Sequence, residues 1–445
     1  MNTNSEIELD PRLQPLIDKM IEKFNLKDYH LATLEIYHEK NIFNDTEYRL
    51  VIEWFPPGIT ERVEEDCNPD GTICLDIDLP STQLLAYRVV GDSKQFPYKP
   101  FEAGNKDSII QWVEEETRLT YMKHFTTQAQ EDPSSYEFKG CFHGIPLSPT
   151  EMISIQLNEQ GELKSYYTSI RKEWIEDHVK QEEYTLALNH DILEIANKQW
   201  TLIEFPDRQG ERWLQLYALE EIYVTNDQSR TISFEPIADK RSYLNLDRVI
   251  EWEQDADPSQ EQRITEKDQE KRRPIQVGIR KISYEQVLAE EPHPDTLPIT
   301  EEDQNKIIVT INQFLRDKYP LDSGKWKITY VFRSGDLNVV LKPADQGIRV
   351  ILQPKIIVFL DPKTWQVTNY LDMSQWNCLT KNLKDSANII NISRKEAFEL
   401  IKDTIKITPY YVYDFDVKKY VLCGKIDTDY AVVAETGEVI NLSEL

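Results

Sequence analysis

Five stretches of the chain place apolar residues on both sides of a short polar turn, which is the pattern of a β-hairpin. They are residues 73–89, 152–168, 220–234, 355–371 and 429–442. In the first stretch, apolar and polar residues alternate strictly from Ile73 to Leu79. Alternation of this kind buries one face of a strand and leaves the other in water. The pattern therefore predicts five hairpins, each with one covered face.

A segment with the apolar period of a helix precedes each hairpin. These segments are residues 11–25, 107–122, 190–200, 301–318 and 394–406. Ser393 and Glu396 have the spacing of a capping box, and Thr300 precedes three acidic residues. We therefore predict an α+β fold class of tandem units, each a helix packed on an antiparallel sheet.

A charged stretch separates two halves of the pattern. Residues 251–274 contain 8 acidic and 5 basic residues among 24, which is typical of a solvated linker or an exposed helix. Residues 275–290 carry enough apolar residues to dock on either half. The predicted domains are residues 1–100 as one helix-plus-sheet unit, 101–250 as two units, 251–295 as a charged linker, and 296–445 as two further units.

Two regions carry a family resemblance. One runs from Phe142-His143-Gly144-Ile145-Pro146 through MISI at 152–155 and GELKSY at 161–166 to Trp174, and the other joins ISRKEAFELIKD to YAVVAETGEVINL near the C-terminus. These motifs resemble the PepSY-like repeat proteins of Gram-positive spore-formers, the YcdB/YcdC repeat group. The resemblance covers most of residues 107–234 and 301–445, and more loosely 1–92. It implies PepSY-like units that act as binding or inhibitory modules.

The charge of the chain argues against two classes of partner. Its 51 Lys and Arg stand against 78 Asp and Glu, a formal charge of -27, so its field repels phosphate backbones. We expect no nucleic acid partner. No apolar run approaches the roughly 20 residues of a spanning helix, and the first residues lack the pattern of a signal peptide. We expect no membrane insertion and a cytoplasmic location.

The motifs of common cofactors and nucleophiles are missing from the sequence. It contains no G-x-S-x-G, no G-x-G-x-x-G and no phosphate loop. The five cysteines are scattered and odd in number, which indicates reduced thiols. We therefore expect no cofactor, and the pattern favours a protein that is not an enzyme.

One acidic turn matches part of a calcium loop. Asp66, Asn68 and Asp70 occupy the first ligand positions of an EF-hand, but position 12, which normally holds a bidentate Glu, is Ile77. Asn68-Pro69-Asp70-Gly71 is also a strong hairpin turn signal. The segment is therefore interpreted as a turn, with a weak calcium site as the alternative.

Aromatic residues recur after two of the hairpins. Tyr166 with Trp174, and Tyr370 with Trp376, follow corresponding strands. Tyr and Trp are favoured at recognition surfaces, where they combine a large area with a polar tip. They serve equally well to pack a helix onto its sheet. We name these four residues as candidate binding residues and keep both interpretations.

The sequence thus favours a non-enzymatic module that binds a protein or peptide, with an inhibitory or scaffolding role. Sheet edges can accept an extended segment, and the negative charge of the chain prefers a basic partner. Two alternatives stay open. One is a hydrolase with its site in a crevice between the halves, and the other is a weakly calcium-responsive protein.

Overall fold

The computed structural model describes residues 10–62, 64, 67–91, 96–102, 105–127, 132, 134–206, 212–233, 243–253, 273–274, 278–345, 349–350, 354–373 and 390–444. The chain divides into two compact units, and neither is a continuous stretch. Unit 1 comprises Met1–Glu182, Ile279–His293 and Tyr410–Leu422. Unit 2 comprises Glu183–Gly278, Pro294–Pro409 and Cys423–Leu445.

The described strands form one large mixed sheet and two smaller sheets. The large sheet has fourteen strands in the order β13-β12-β22-β21-β7-β6-β8-β9-β4-β3-β2-β1-β15, with β5 paired to β6. Its strands are β1 His30–Lys40, β2 Thr46–Phe55, β3 Ile73–Asp78, β4 Leu84–Val89, β5 Phe125–Thr127, β6 Ser135–Phe142, β7 Ile145–Ser148, β8 Met152–Leu157, β9 Leu163–Thr168, β12 Ile222–Thr225, β13 Thr231–Ser233, β15 Arg280–Ile282, β21 Lys406–Asp414 and β22 Lys419–Asp427.

Both smaller sheets have five strands. One has the order β18-β10-β11-β23-β24, with β10 Trp200–Pro206, β11 Trp213–Leu219, β18 Arg349–Val350, β23 Tyr430–Val433 and β24 Val439–Asn441. The other has the order β14-β16-β17-β19-β20, with β14 Tyr243–Val249, β16 Trp326–Ser334, β17 Asp336–Pro343, β19 Ile356–Leu360 and β20 Val367–Asp372.

Five of the seven described α-helices begin at a residue whose side chain caps the first turn. They are α1 Gln14–Lys23, α2 Lys106–Thr117, α3 Lys172–His178, α4 His190–Gln199, α5 Tyr284–Leu288, α6 Glu301–Lys318 and α7 Arg394–Ile401. Thr300 and Ser393 form reciprocal capping boxes at the starts of α6 and α7. Within the described part of the chain, no helix combines the length and the apolar character needed to cross a membrane.

In unit 1, aromatic side chains connect the helices to the large sheet. Phe24, which ends α1, stacks on Tyr87 of β4 with 5.4 Å between ring centroids. Trp112 of α2 meets Tyr166 of β9 edge-on at 5.0 Å. Tyr87 and Tyr166 are direct partners in the β4–β9 register, so both helices cover the same sheet face.

Unit 2 contains separate cores. In one, α6 buries Ile307, Ile311 and Leu315 against the sheet that runs from β14 to β20. In the other, α4 and α7 pack around Trp200 of β10, whose ring lies 6.2 Å from that of Phe398. Each core closes one apolar face of a small sheet.

The predicted fold class is wrong for the chain as a whole. The described residues are mainly β, with 41% strand and 22% helix. Their helices are few and do not provide one helix on each sheet unit. The hairpins β3–β4 and β8–β9 join through β4 and β9 in one sheet, and β12–β13 extends the same sheet through β22. The physical reason is that an isolated two-stranded hairpin is marginally stable and leaves backbone groups unpaired at its edges. Pairing edge to edge satisfies those groups.

Candidate peptide-binding groove and strand edge

A groove of about 580 Å³ lies in unit 2 between α6 and the last strand of its sheet. β20 is an edge strand, because among the described strands it pairs with β19 alone. The groove is mainly apolar, and its walls include Val309, Gln313, Phe314, Trp365, Val367 and Tyr370. Concave apolar surfaces with a few polar groups are the usual form of a ligand site.

The helix wall exposes an apolar side chain that the core does not use. Ile307 and Ile311 point into the core, whereas Val309 between them is 70% exposed. The hairpin tip is held against the same helix. Thr310 Oγ1 donates to the carbonyl oxygen of Trp365 at 3.2 Å, and the Lys306 ammonium lies 5.1 Å from the centre of the Trp365 ring.

Tyr370 forms the floor of the groove on the strand side. Its ring meets Phe314 of α6 at 5.2 Å, and its side chain is nearly buried. Its backbone N–H donates to the side-chain oxygen of Asn369 at 2.8 Å. Tyr370 therefore fixes the helix on the edge strand and shapes the groove wall.

Two of the other predicted aromatic residues lie outside the groove. Tyr166 is in unit 1, only 1% exposed, where it packs against Trp112. Trp174 lies within α3, and Trp376 is outside the described residues. The structure therefore brings only Tyr370 to the groove, and a recognition role for the four residues stays a prediction.

Arg273 lies against the edge of β20. The Arg273 backbone N–H donates to the carbonyl oxygen of Thr368 at 3.2 Å, and Asn369 Nδ2 donates to the carbonyl oxygen of Arg273 at 3.0 Å. The Arg273 guanidinium donates from Nη2 to Asp361 Oδ2 at 2.7 Å. One residue is thus held through its backbone and its side chain.

Asp361 is a fixed acceptor for that guanidinium. Its Oδ1 accepts the backbone N–H groups of Lys363 and Thr364, each at 2.9 Å, at the turn between β19 and β20. The hydrogen bond from Arg273, followed by those backbone N–H groups, holds the pKa of Asp361 below its usual range. The carboxylate therefore stays ionised and oriented toward the strand edge.

Sequence reasoning missed Arg273 and Asp361, because the segment containing Arg273 was interpreted as a linker or an exposed helix. A signal was present in Pro274. A residue that precedes proline is biased toward extended backbone, which is the conformation an edge strand can accept.

The two candidate calcium residues that the structure describes, Asn68 and Asp70, lie at the turn that precedes β3. Asn68 Nδ2 donates to Glu53 Oε1 at 2.6 Å, and Arg62 Nε donates to Asn68 Oδ1 at 2.8 Å. Gly71 has φ +85°, as a glycine turn requires. Asp66 lies outside the described residues. In the described ranges, no group of three or more His, Cys, Asp or Glu is arranged to hold a metal ion.

Comparisons with known proteins give one structural similarity. No family model matches the chain, and no curated protein sequence matches it. Among solved structures, the Bacillus megaterium YpeB C-terminal domain aligns with a TM-score of 0.26 and 12% identity, over 51% of this chain and 98% of that domain. A likeness at this level is too weak to support an argument about fold or function.

Proposed function

We propose that this protein is a non-enzymatic peptide-binding module, and that the edge of β20 accepts an extended segment of a partner protein. A basic side chain of that segment pairs with Asp361, and its apolar side chains lie in the groove beside α6. The partner segment takes the place that Arg273 holds in the free protein. We include assignment to the PepSY-like repeat group in this proposal, on the motifs of residues 142–166 and 393–442.

The observation that carries the proposal is the set of contacts made by Arg273. Strand addition uses backbone hydrogen bonds for affinity and side-chain contacts for specificity. Arg273 makes both kinds, with Thr368 and Asn369 for its backbone and Asp361 for its side chain. The contacts of Arg273 are therefore an example, within the chain, of those that we propose for the basic peptide.

The charge of the protein supports the same class of ligand. A formal charge of -27 attracts basic segments over long distances and raises their association rate. An extended segment presents alternate side chains to the same face. The expected ligand is therefore extended and combines basic with apolar residues.

The chain also supplies a test ligand, a synthetic peptide with the sequence DQEKRRPIQVG of residues 268–278. We would titrate it, carrying a fluorophore, with full-length protein in which Arg273→Ala removes the guanidinium that occupies Asp361. We expect saturable binding with one site. Asp361→Asn in the same protein should weaken it about three- to tenfold, because it removes the charge that receives the guanidinium.

Two matched controls make this test specific. Asp345 is an exposed acid of the same unit outside the groove, and Asp345→Asn removes the same charge without touching the edge. The second control is a peptide with alanine at the position of Arg273, titrated with the protein that keeps Asp361. Its affinity should be as low as that of the original peptide for the protein with Asp361→Asn. Equal affinity for both peptides, or equal loss in both protein variants, would refute recognition at this edge.

A further inference from the structure

A second cleft of about 580 Å³ lies in unit 1, at one end of strands β4, β8 and β9. The turn that contains Asn68 and Asp70 forms one wall. The side chains that matter for its chemistry are Asn68, Asp70, Arg88, Gln156, Lys164 and Ser165. The cleft is polar, in contrast to the groove of unit 2, and is separate from the proposed peptide site.

Strand register places three of these side chains in one row. Arg88 of β4 is the direct partner of Ser165 of β9, and Ser165 is the direct partner of Gln156 of β8. Direct partners in an antiparallel sheet project to the same face about 5 Å apart. The row lies on the face opposite Tyr87 and Tyr166, which pack against the helices.

A β-bulge adds a second cation to this row. The β8–β9 register shifts between Gln156 and Leu157, which leaves Lys164 as the extra residue beside Ser165. Bulges redirect side chains and recur beside binding sites. Lys164 accordingly lines the same cleft as Arg88.

The two cations have few charged partners among the residues that the structure describes. Neither Arg88 nor Lys164 forms an ion pair with any residue that the structure describes. Arg88 interacts with the thiol of its cross-strand partner Cys74. A guanidinium carries five N–H donors and an ammonium three, so this pair can engage an anion through several donors. Two cations that line one cleft stand out in a chain with a formal charge of -27.

The acidic wall of the cleft is formed by Asp70, whose side chain lies close to the backbone of Gly91. Gly91 has φ +69°, and a Cβ at this position would lie 1.9 Å from Asp70 Oδ1. Glycine therefore lets the Asp70 carboxylate lie against the end of β4. Asp70 lines the same cleft as Arg88 and Lys164. Its carboxylate repels any further negative charge on a ligand bound there.

We propose that this cleft binds a small molecule through a carboxylate or phosphate group, which Arg88 and Lys164 hold as counterions while Ser165 and Gln156 donate hydrogen bonds. Guanidinium and ammonium groups are the side chains that recognise such anions. Asp70 limits the total negative charge that the cleft accepts.

The test is isothermal titration of the full-length protein with inorganic phosphate and, separately, with succinate, which distinguishes the two anion sources. We expect one of them to bind at a single site. Arg88→Ala and Lys164→Ala should each weaken binding at least about tenfold, whereas Lys27→Ala, an exposed lysine of the same unit outside the cleft, should not.

A variant that should raise the affinity for the anion, rather than lower it, excludes a merely structural effect. Asp70→Asn removes the repelling carboxylate and should tighten binding several-fold, while misfolding would weaken it. The proposal is overturned if neither anion binds, or if the Arg88 and Lys164 variants bind as the unaltered protein does. It is also overturned if Asp70→Asn leaves the affinity unchanged.

Discussion

The guanidinium of Arg273 and the carboxylate of Asp361 form an ion pair, 2.7 Å between Nη2 and Oδ2, although 88 positions separate them in the chain. The Arg273 side chain is 54% exposed. An ion pair this open to solvent contributes little to stability, because water screens the attraction and both side chains lose freedom when they pair. A partner segment can therefore replace Arg273 at little cost.

This relationship predicts that Arg273→Ala raises the affinity of the full-length protein for the 268–278 peptide. The variant removes the guanidinium that competes for Asp361 and weakens the internal contact, so the fraction of molecules with an accessible edge increases, and we expect a gain of about two- to tenfold. Fluorescence anisotropy of the labelled peptide measures it. Arg248→Ala serves as the control, since Arg248 is exposed on β14 at the opposite edge of the same sheet. A gain of equal size in both variants would mean that net charge alone is responsible.

Glu151 should make the stability of the protein depend on pH. Its side chain is buried, and Oε2 has no hydrogen-bond partner in the described structure. Burial raises the pKa of Glu151 from 4.5 to about 8, with Arg171 opposing the shift and Glu47 adding to it. The Tyr420 side chain, also buried, interacts with the same carboxyl group.

The sign follows from proton binding. Between about pH 4.5 and pH 8 the unfolded chain has lost this proton and the folded protein retains it, so the free energy of unfolding falls as pH rises. The slope for one group is at most about 1.4 kcal/mol per pH unit. Glu151→Gln cannot ionise, so urea unfolding should show its stability improving relative to the unaltered protein from about pH 5 to about pH 8. A difference that stays constant with pH would exclude a buried neutral carboxyl at this position.

Tyr166 and its neighbour Tyr167 should respond very differently to truncation. Tyr166 is 1% exposed and packs on Trp112, whereas Tyr167 is 41% exposed on the other face of β9. Tyr166→Ala should lower the free energy of unfolding by about 3–5 kcal/mol, through lost burial and a cavity. Tyr167→Ala should change it by less than about 1 kcal/mol. Similar values in urea titrations of the two variants would contradict this placement of β9.

The variant Asn68→Asp distinguishes the interpretation of this segment as a turn from its interpretation as a weak calcium site. The Asn68 amide donates to Glu53, so a carboxylate in its place loses that bond and faces a like charge. The bond from Arg62 to the same side chain is kept and offsets part of this, so we expect destabilisation by at most about 1 kcal/mol. In a calcium loop the added charge would instead strengthen metal binding. Melting curves with EDTA and with millimolar CaCl₂ decide between them. We expect a lower melting temperature that calcium does not restore, and recovery in calcium would favour the metal site.

Local patterns predicted the local structure well. All five predicted hairpins are confirmed, for example β3–β4 at 73–89 and β19–β20 at 355–371. The helix predicted at 301–318 is confirmed as α6, and the other four predicted helices are also present with shorter bounds. Alternation, helical period and caps act over a few residues, so one sequence is enough to reveal them.

The assembly of those elements was not predictable in the same way. Strand alternation identifies a covered face but does not say which edge will pair with which, and the joining of β4 to β9 depends on that choice. The same limit applies to the site. Tyr370 could be named from its residue type, but its place in a groove depends on α6, and the bond between Arg273 and Asp361 depends on the folded path of the chain.

The division of unit 1 into three separate stretches has a consequence for how the protein is made. The ribosome delivers residues 1–182 first, yet this unit is completed only when residues 279–293 and 410–422 have been synthesised. The usual order of co-translational folding, in which an N-terminal domain is completed before the next one emerges, therefore does not describe this unit. Until then β1 lacks its partner β15 and exposes one open edge, and an open strand edge is a site where chains can aggregate.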